Sequence, residues 1–329
     1  MIEEIKTSTT EEWEKYRRPE LLTLYRENVY GYCPFPVPET VTGVIQDTER
    51  TEDGYIREED LLYIEHYAMP ITLFYPVIGS NNKNNKNNKI VIYLRLSDQK
   101  ETDIPIKMIT DRGYTLIQVW VESIASDAEN CLQTGLFRYF NSAKTPDSCG
   151  ALGAWSYGLS RVMDFILSQP ERFPDPKVIV AGFSRGGKCS LWTAASDERF
   201  AMVAAFHSGT GGAELCRDKR PGAETVAAIT TNFPYWFCDN FAKYGDCVET
   251  LPVEQHMLLG LIAPRGLFLT GAADDPWADM ESEKRSAKMA SSVYKMYQKD
   301  AVMYFEGREG HKATIEEWEE MLNFADRIL

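Results

Sequence analysis

From about residue 89 onward the chain alternates short apolar runs with longer amphipathic ones, and no other feature constrains the fold as much. "KIVIYLRL" (89–96), "YTLIQVWV" (114–121), "KVIVAGF" (177–183), "FAMVAAFHSG" (200–209), "RGLFLTGAADD" (265–275) and "AVMYFEG" (301–307) read as strands. Residues 150–169, 187–197, 282–299 and 314–329 read as helices between and after them. Strands separated by helices imply a mostly parallel central sheet with helices on both faces, a three-layer α/β sandwich.

Upstream of this region, residues 11–30 read as a helix with Leu21, Leu24 and Tyr25 on one face, and residues 40–66 as strands of an antiparallel edge. The polar run "SNNKNNKNNK" joins "PITLFYPVIG" (70–79) to "KIVIYLRL" and reads as the tip of a hairpin between them. No linker divides the chain. The expectation is one domain over residues 1–329, with residues 1–66 as an N-terminal extension packed on it.

Charge narrows the partners. With 35 basic and 49 acidic residues the net charge is −14. No basic stripe is present, which argues against nucleic acid and against an anionic membrane surface. The start, "MIEEIKTSTTEEWEKYRRPELL", lacks a basic segment followed by an apolar one, so a cytoplasmic chain is expected unless a leader has been removed. The seven cysteines show no metal-ligand spacing, and neither metal nor cofactor is expected.

In an open parallel sheet, chemistry collects at the carboxyl ends of the strands. Three such ends stand out. Ser184 follows "KVIVAGF" in the pattern glycine-x-serine-x-glycine. Asp274 and Asp275 follow "RGLFLTGAA". His311 follows "AVMYFEGREG". Serine, acid, histidine is the chain order of an α/β-hydrolase. Gly182 and Gly186 would let strand and helix approach closely around a strained serine. The Arg185 amide would then lie at a helix N-terminus, where a developing oxyanion is stabilised. His311 suits the general base, since imidazole takes and returns a proton near neutral pH. The segment "YLRLSDQKE" lacks the glycines that often supply a second oxyanion donor, and the Arg185 guanidinium is the candidate replacement.

The stretch "GFSRGGKCSLWTAASDERFAMVAAFHSGTGGAELCR" closely resembles the nucleophile region of glucuronoyl esterases, carbohydrate esterases of the α/β-hydrolase fold. "DSCGALGAWSYGLSRVMDFI", "GAETVAAITTNFPYWFCDNF", "LPVEQHMLLGLIAPR" and "AADDPWAD" resemble other parts of the same family. The resemblance implies a metal-independent serine esterase that cleaves esters of 4-O-methyl-glucuronic acid carried on xylan. It implies that Ser184 is the nucleophile, His311 the base and Arg185 an aid to the oxyanion. It further implies that Lys188, Glu224 and Trp277 meet the sugar. Some members place the triad glutamate where this chain has His207. Others use an acid after the seventh strand, which matches Asp275, with Asp274 as competitor. His207 is then expected to line the substrate pocket. An acetyl esterase acting on acetylated xylooligosaccharides and an inactive carbohydrate-binding relative are the alternatives.

Overall fold

The computed structural model describes residues 5, 9–33, 37–77, 88–139 and 143–329. The polar run at 80–89 lies almost wholly outside the described residues. One nine-stranded sheet organises the molecule. Its strands are β1 (Thr42–Arg50), β2 (Tyr55–Ile64), β3 (Tyr67–Pro76), β4 (Lys89–Arg95), β5 (Thr115–Trp120), β6 (Lys177–Phe183), β7 (Met202–Phe206), β8 (Gly266–Ala272) and β9 (Val302–Gly307), in the order β1-β2-β3-β5-β4-β6-β7-β8-β9. β1, β2 and β3 are antiparallel, β3 meets β5 antiparallel, and every pair from β5 to β9 is parallel.

Two expectations change here. β3 and β4 are not a hairpin, because β5 pairs with both and lies between them. Residues 42–64 are not an extension packed on the domain. They are strands of the central sheet, and the β2 ladder to β3 runs from Tyr55↔Pro76 to Ile64↔Tyr67. The helical segment over residues 10–30 does pack on the sheet domain, burying Trp13, Leu21, Tyr25, Val29 and Tyr30 in the main core.

The parallel strands are apolar on both faces because both faces are covered. Ile90, Ile92 and Leu94 of β4 and Val178 and Val180 of β6 face one core, shared with α1 (Ala151–Ser168) and α2 (Arg185–Ser196). Val91 and Tyr93 of β4 and Ile179 and Ala181 of β6 face a second core, closed by α4 (Ile315–Ile328) and a short helix, Ile106–Asp111. α3 (Met280–Met296) packs beside β9. The carboxyl ends of β6, β7, β8 and β9 thus open along one edge, and the candidate residues gather there. Among the described residues, no helix is long and apolar enough to cross a membrane.

Candidate active site

β6 ends at Phe183 and α2 starts at Arg185, so one residue must reverse the chain. That residue is Ser184, at φ 53° and ψ −122°. A non-glycine residue held there stores on the order of 1–3 kcal/mol of backbone strain. The Ser184 N–H donates to Phe206 O at 2.8 Å and its carbonyl accepts from Lys188 N at 3.1 Å, which fixes the turn from both sides. A Cβ on Gly182 would lie 2.3 Å from Gly186 O, so glycine is required at 182. The second tight glycine is Gly187 and not the expected Gly186. A Cβ on Gly187 would meet Gly182 O at 3.1 Å, whereas one on Gly186 has ordinary contacts from 3.5 Å.

The elbow aims Ser184 Oγ at His311 Nε2, 2.9 Å away, and His311 Nδ1 lies 2.8 Å from Asp275 Oδ2. Asp275 is only 2% exposed. Its other oxygen accepts the N–H groups of Trp277 at 2.8 Å and Ala278 at 3.2 Å. Burial opposes its ionisation, but hydrogen bonds from His207, His311 and the Trp277 amide hold the carboxyl well below the usual range. Asp274 takes a different part. It accepts the Gly310 N–H at 2.9 Å and so anchors the loop that carries His311.

His207 does not line the pocket, contrary to expectation. It is 1% exposed, and both ring nitrogens are occupied. Nδ1 lies 2.8 Å from the same Asp275 oxygen that faces His311, and Nε2 lies 2.8 Å from Glu317 Oε1. Ionised carboxylates only accept, so two of them bracketing one ring call for an imidazolium. Burial disfavours that charge, yet the hydrogen bonds to Asp275 and Glu317 prevail and raise His207 to about 9. The Ser184–His311–Asp275 chain therefore continues through His207 to Glu317. With a histidine at 207, the carboxylate that faces His311 comes from the loop after β8, as Asp275. His207, Asp275 and His311 bring donor atoms within 4.8 Å of one another, a spacing a cation could use. Here those atoms form a continuous line of proton donors and acceptors.

Lys188 is buried one helical turn after Ser184 and donates to Ser208 O at 2.6 Å. Burial lowers the pKa of its ammonium, against the raising effect of Glu224, Glu214 and Glu283. Glu224 is half-buried, and burial raises its carboxyl while Lys188 opposes. Trp277 is 54% exposed and presents a free aromatic face at the same edge. Arg185 is tethered: Nε donates to Asp127 and Nη2 to Asp98 at 2.9 Å. Trp236 Nε1 in turn holds Asp127 Oδ1 at 2.8 Å.

Four acidic residues of the site were not foreseen. Glu214 accepts from Lys219 at 2.5 Å and from Asp279 N at 3.1 Å. Glu283 accepts from Gly209 N at 2.8 Å and the Tyr304 hydroxyl at 2.9 Å, and burial pushes its carboxyl up to about 7. Asp127 holds Arg185. Glu317 did leave a trace in the sequence, since Thr314-x-x-Glu317 is a capping-box pattern. It does cap α4, accepting Thr314 N at 2.7 Å through Oε2, and its free Oε1 takes His207.

Comparison with known proteins places the whole chain beside glucuronoyl esterases. A protein-family model described as "Glucuronyl esterase, fungi" matches residues 78–298. Carbohydrate esterase MZ0003, from an unknown prokaryotic organism, is 27% identical over 380 residues, covering 99% of this chain and 87% of that protein. A 4-O-methyl-glucuronoyl methylesterase of Schizophyllum commune is 25% identical over 293 residues, covering 87% and 69%. Among solved structures, a glucuronoyl esterase from Solibacter usitatus superposes with a TM-score of 0.86 at 27% identity, over 97% of this chain and 94% of that one.

Proposed function

The chain belongs to the glucuronyl esterase family, and on that premise we propose that it hydrolyses glucuronate esters at Ser184 through an acyl-enzyme. The observation that carries this reading is the line Ser184 Oγ–His311 Nε2 at 2.9 Å and His311 Nδ1–Asp275 Oδ2 at 2.8 Å, at the carboxyl edge of the sheet.

Ser184 Oγ attacks the uronate carbonyl carbon as its proton passes to His311 Nε2. The carbonyl electron pair moves onto oxygen. That oxyanion is received by the Arg185 N–H, one of the first amides of α2 and without an intrahelical partner, and by the Arg185 guanidinium. Asp275 holds the Nδ1–H of His311 and stabilises its imidazolium. The tetrahedral intermediate collapses, the ester C–O bond breaks, and the alcohol leaves with the proton from His311. Water then adds to the acyl carbon, giving a proton to His311, and release of the uronate returns that proton to Ser184. Lys188, Glu224 and Trp277 bind the sugar, the first two through its hydroxyls and the third by its ring face. His207 acts through Asp275, whose position and ionisation it maintains.

The test compares benzyl glucuronate with an acetylated xylooligosaccharide, using the wild type and Ser184→Ala. The expected result is preference for the uronate ester and a loss on the order of 10⁴-fold or more in kcat on removing Ser184. Full activity in Ser184→Ala would end the mechanism, and preference for the acetyl ester would replace the substrate.

A further inference from the structure

On the other side of Ser184 the sheet carries a second recess that the chemistry above leaves unused. Strand register places Glu59 and Leu61 of β2, Pro70 and Thr72 of β3, Gln118 and Trp120 of β5 and Arg95 of β4 on one face, through the pairs Leu61↔Pro70, Glu59↔Thr72, Thr72↔Gln118 and Arg95↔Trp120. The same face carries Phe74, Tyr93 and Leu116 further along, in the core beneath helix Ile106–Asp111. Toward the carboxyl ends of β4 and β5 a cavity of about 160 Å³ opens among these side chains. A single ordered water needs only ~10–15 Å³ of such space.

The lining mixes apolar side chains with polar ones, and two of the polar groups are unpartnered. Gln118 is 4% exposed, and neither its amide nitrogen nor its amide oxygen has a hydrogen-bond partner. Arg95 Nε is buried without a partner as well. Leaving such groups unpaired costs about 1–3 kcal/mol each, so an orphaned amide in a cavity marks a place where something binds. Beside it Trp120 is 43% exposed, with the Arg95 guanidinium 6.0 Å from its ring centre. A bulge between Ile45 and Asp47 brings Gln46 to the rim.

The position also bears on function. β4 and β5 run on into the segments bearing Asp98 and Asp127, the two carboxylates that hold Arg185. In the sheet order β5 lies two strands from β6, roughly 10 Å away at the usual strand spacing. The recess therefore lies on the flank opposite Glu224 and Trp277, which follow β7 and β8.

We propose that this recess binds neutral sugar residues of the oligosaccharide backbone whose uronate is esterified at Ser184, an assignment that rests on the esterase reading. A pyranose ring has an apolar C–H face, which suits Trp120, Pro70 and Leu61. Its rim carries hydroxyls that both donate and accept. The Gln118 amide offers both kinds of group and Arg95 Nε donates, while the exposed Glu59 carboxylate, whose Oε1 takes Arg57 Nη2 at 2.6 Å, accepts through its other oxygen. An aromatic alcohol would cover Trp120 but leave Gln118 unpaired, and a polyanion would meet Glu59.

The test uses the full chain with Gln118→Leu, Trp120→Ala and the double substitution. Three quantities are read for the wild type and each variant: kcat/KM on benzyl glucuronate, kcat/KM on a glucuronate ester carried by a xylooligosaccharide, and binding of unesterified xylohexaose by calorimetry. The expected result for the double variant is a fall of about tenfold on the oligosaccharide ester, carried by KM and equivalent to about 1.4 kcal/mol. Benzyl glucuronate hydrolysis stays at the wild-type rate, and xylohexaose binding is lost. Gln118→Leu removes an unsatisfied amide, so its melting temperature is expected to equal or exceed the wild type, which guards against misfolding. Equal oligosaccharide kinetics and equal xylohexaose binding in wild type and variants would overturn the proposal, as would an equal loss on both esters. If the wild type hydrolyses neither ester, the esterase reading fails, while the xylohexaose titration still decides the recess.

Discussion

The two flanks of Ser184 differ in how completely their buried charged groups are paired. On the β7–β8 flank the buried charges have partners. Glu214 holds Lys219, Glu283 takes Gly209 N–H and the Tyr304 hydroxyl, and Lys188 is bonded to Ser208. Asp275 takes two imidazoles and two amides, and Glu317 takes His207 and Thr314. On the β4–β5 flank Gln118 and Arg95 Nε are buried and unpaired beside an exposed Trp120. The contrast separates two jobs. A fully satisfied network fixes where charge sits before the substrate arrives, which is what an electrostatic catalyst requires. An unsatisfied recess is completed by its ligand.

The sharpest way to break this picture is at Asp275. Asp275→Asn is expected to lower kcat by about 10⁴-fold, since the amide cannot orient and stabilise His311 as a carboxylate does. Asp274→Asn only weakens the anchor of the Gly310 loop and is expected to keep most activity, and steady-state hydrolysis of benzyl glucuronate by the pair distinguishes them. Lys188→Met comes next. Loss of a charged hydrogen bond worth about 1.5–3 kcal/mol predicts a fall of roughly 10- to 150-fold in kcat/KM on glucuronate esters, read from the same assay.

His207→Gln sharpens the comparison further, because it removes a cation and keeps a side chain. Breaking a buried ion pair costs about 3–5 kcal/mol, and the melting temperature is expected to fall accordingly. Losing the His207 hydrogen bond is also expected to raise the Asp275 carboxyl, which carbon-13 NMR of that carboxyl against pH reads and a purely structural defect would not cause.

The smallest effect is on stability against pH. His207 is raised in the folded protein to about 9, from a value near 6.5 when unfolded. Its contribution is full below about pH 6.5 and is lost as pH rises through about 9. Asp275 is depressed, so its contribution is present above about pH 3.9 and lost as pH falls. Glu283, pushed up by burial to about 7, favours the folded state only while protonated. That advantage fades as pH rises from about 4.3 through 7. Melting temperatures between pH 4 and 10 are expected to decline on the alkaline side, and less steeply in His207→Gln.

The parts of the protein that were legible in its sequence are those set by local pattern. The apolar periods of β4 to β9, the glycine at 182 and the strand-end positions of Ser184, Asp275 and His311 all depend on neighbours a few residues away. The place of β5 between β3 and β4 was not legible, because chain adjacency favours pairing β3 with β4 and only tertiary packing inserts another strand. His207 was misread for a similar reason. Its partners lie 68 and 110 residues away, and nothing near it announces that Asp275 will face it. Glu317 was visible only as a helix cap, since a carboxylate has two oxygens and local pattern accounts for one. Gln118 looked like an ordinary strand residue, and its lack of partners exists only in the folded sheet.

The central claim is that one serine, activated by His311 and Asp275, is the nucleophile. Reaction with a fluorophosphonate probe followed by peptide mapping tests it most directly. A single adduct is expected, on the peptide containing Ser184, absent in Ser184→Ala and formed far more slowly in Asp275→Asn. An unlabelled wild type, or an adduct on another residue that persists in Ser184→Ala, would contradict it.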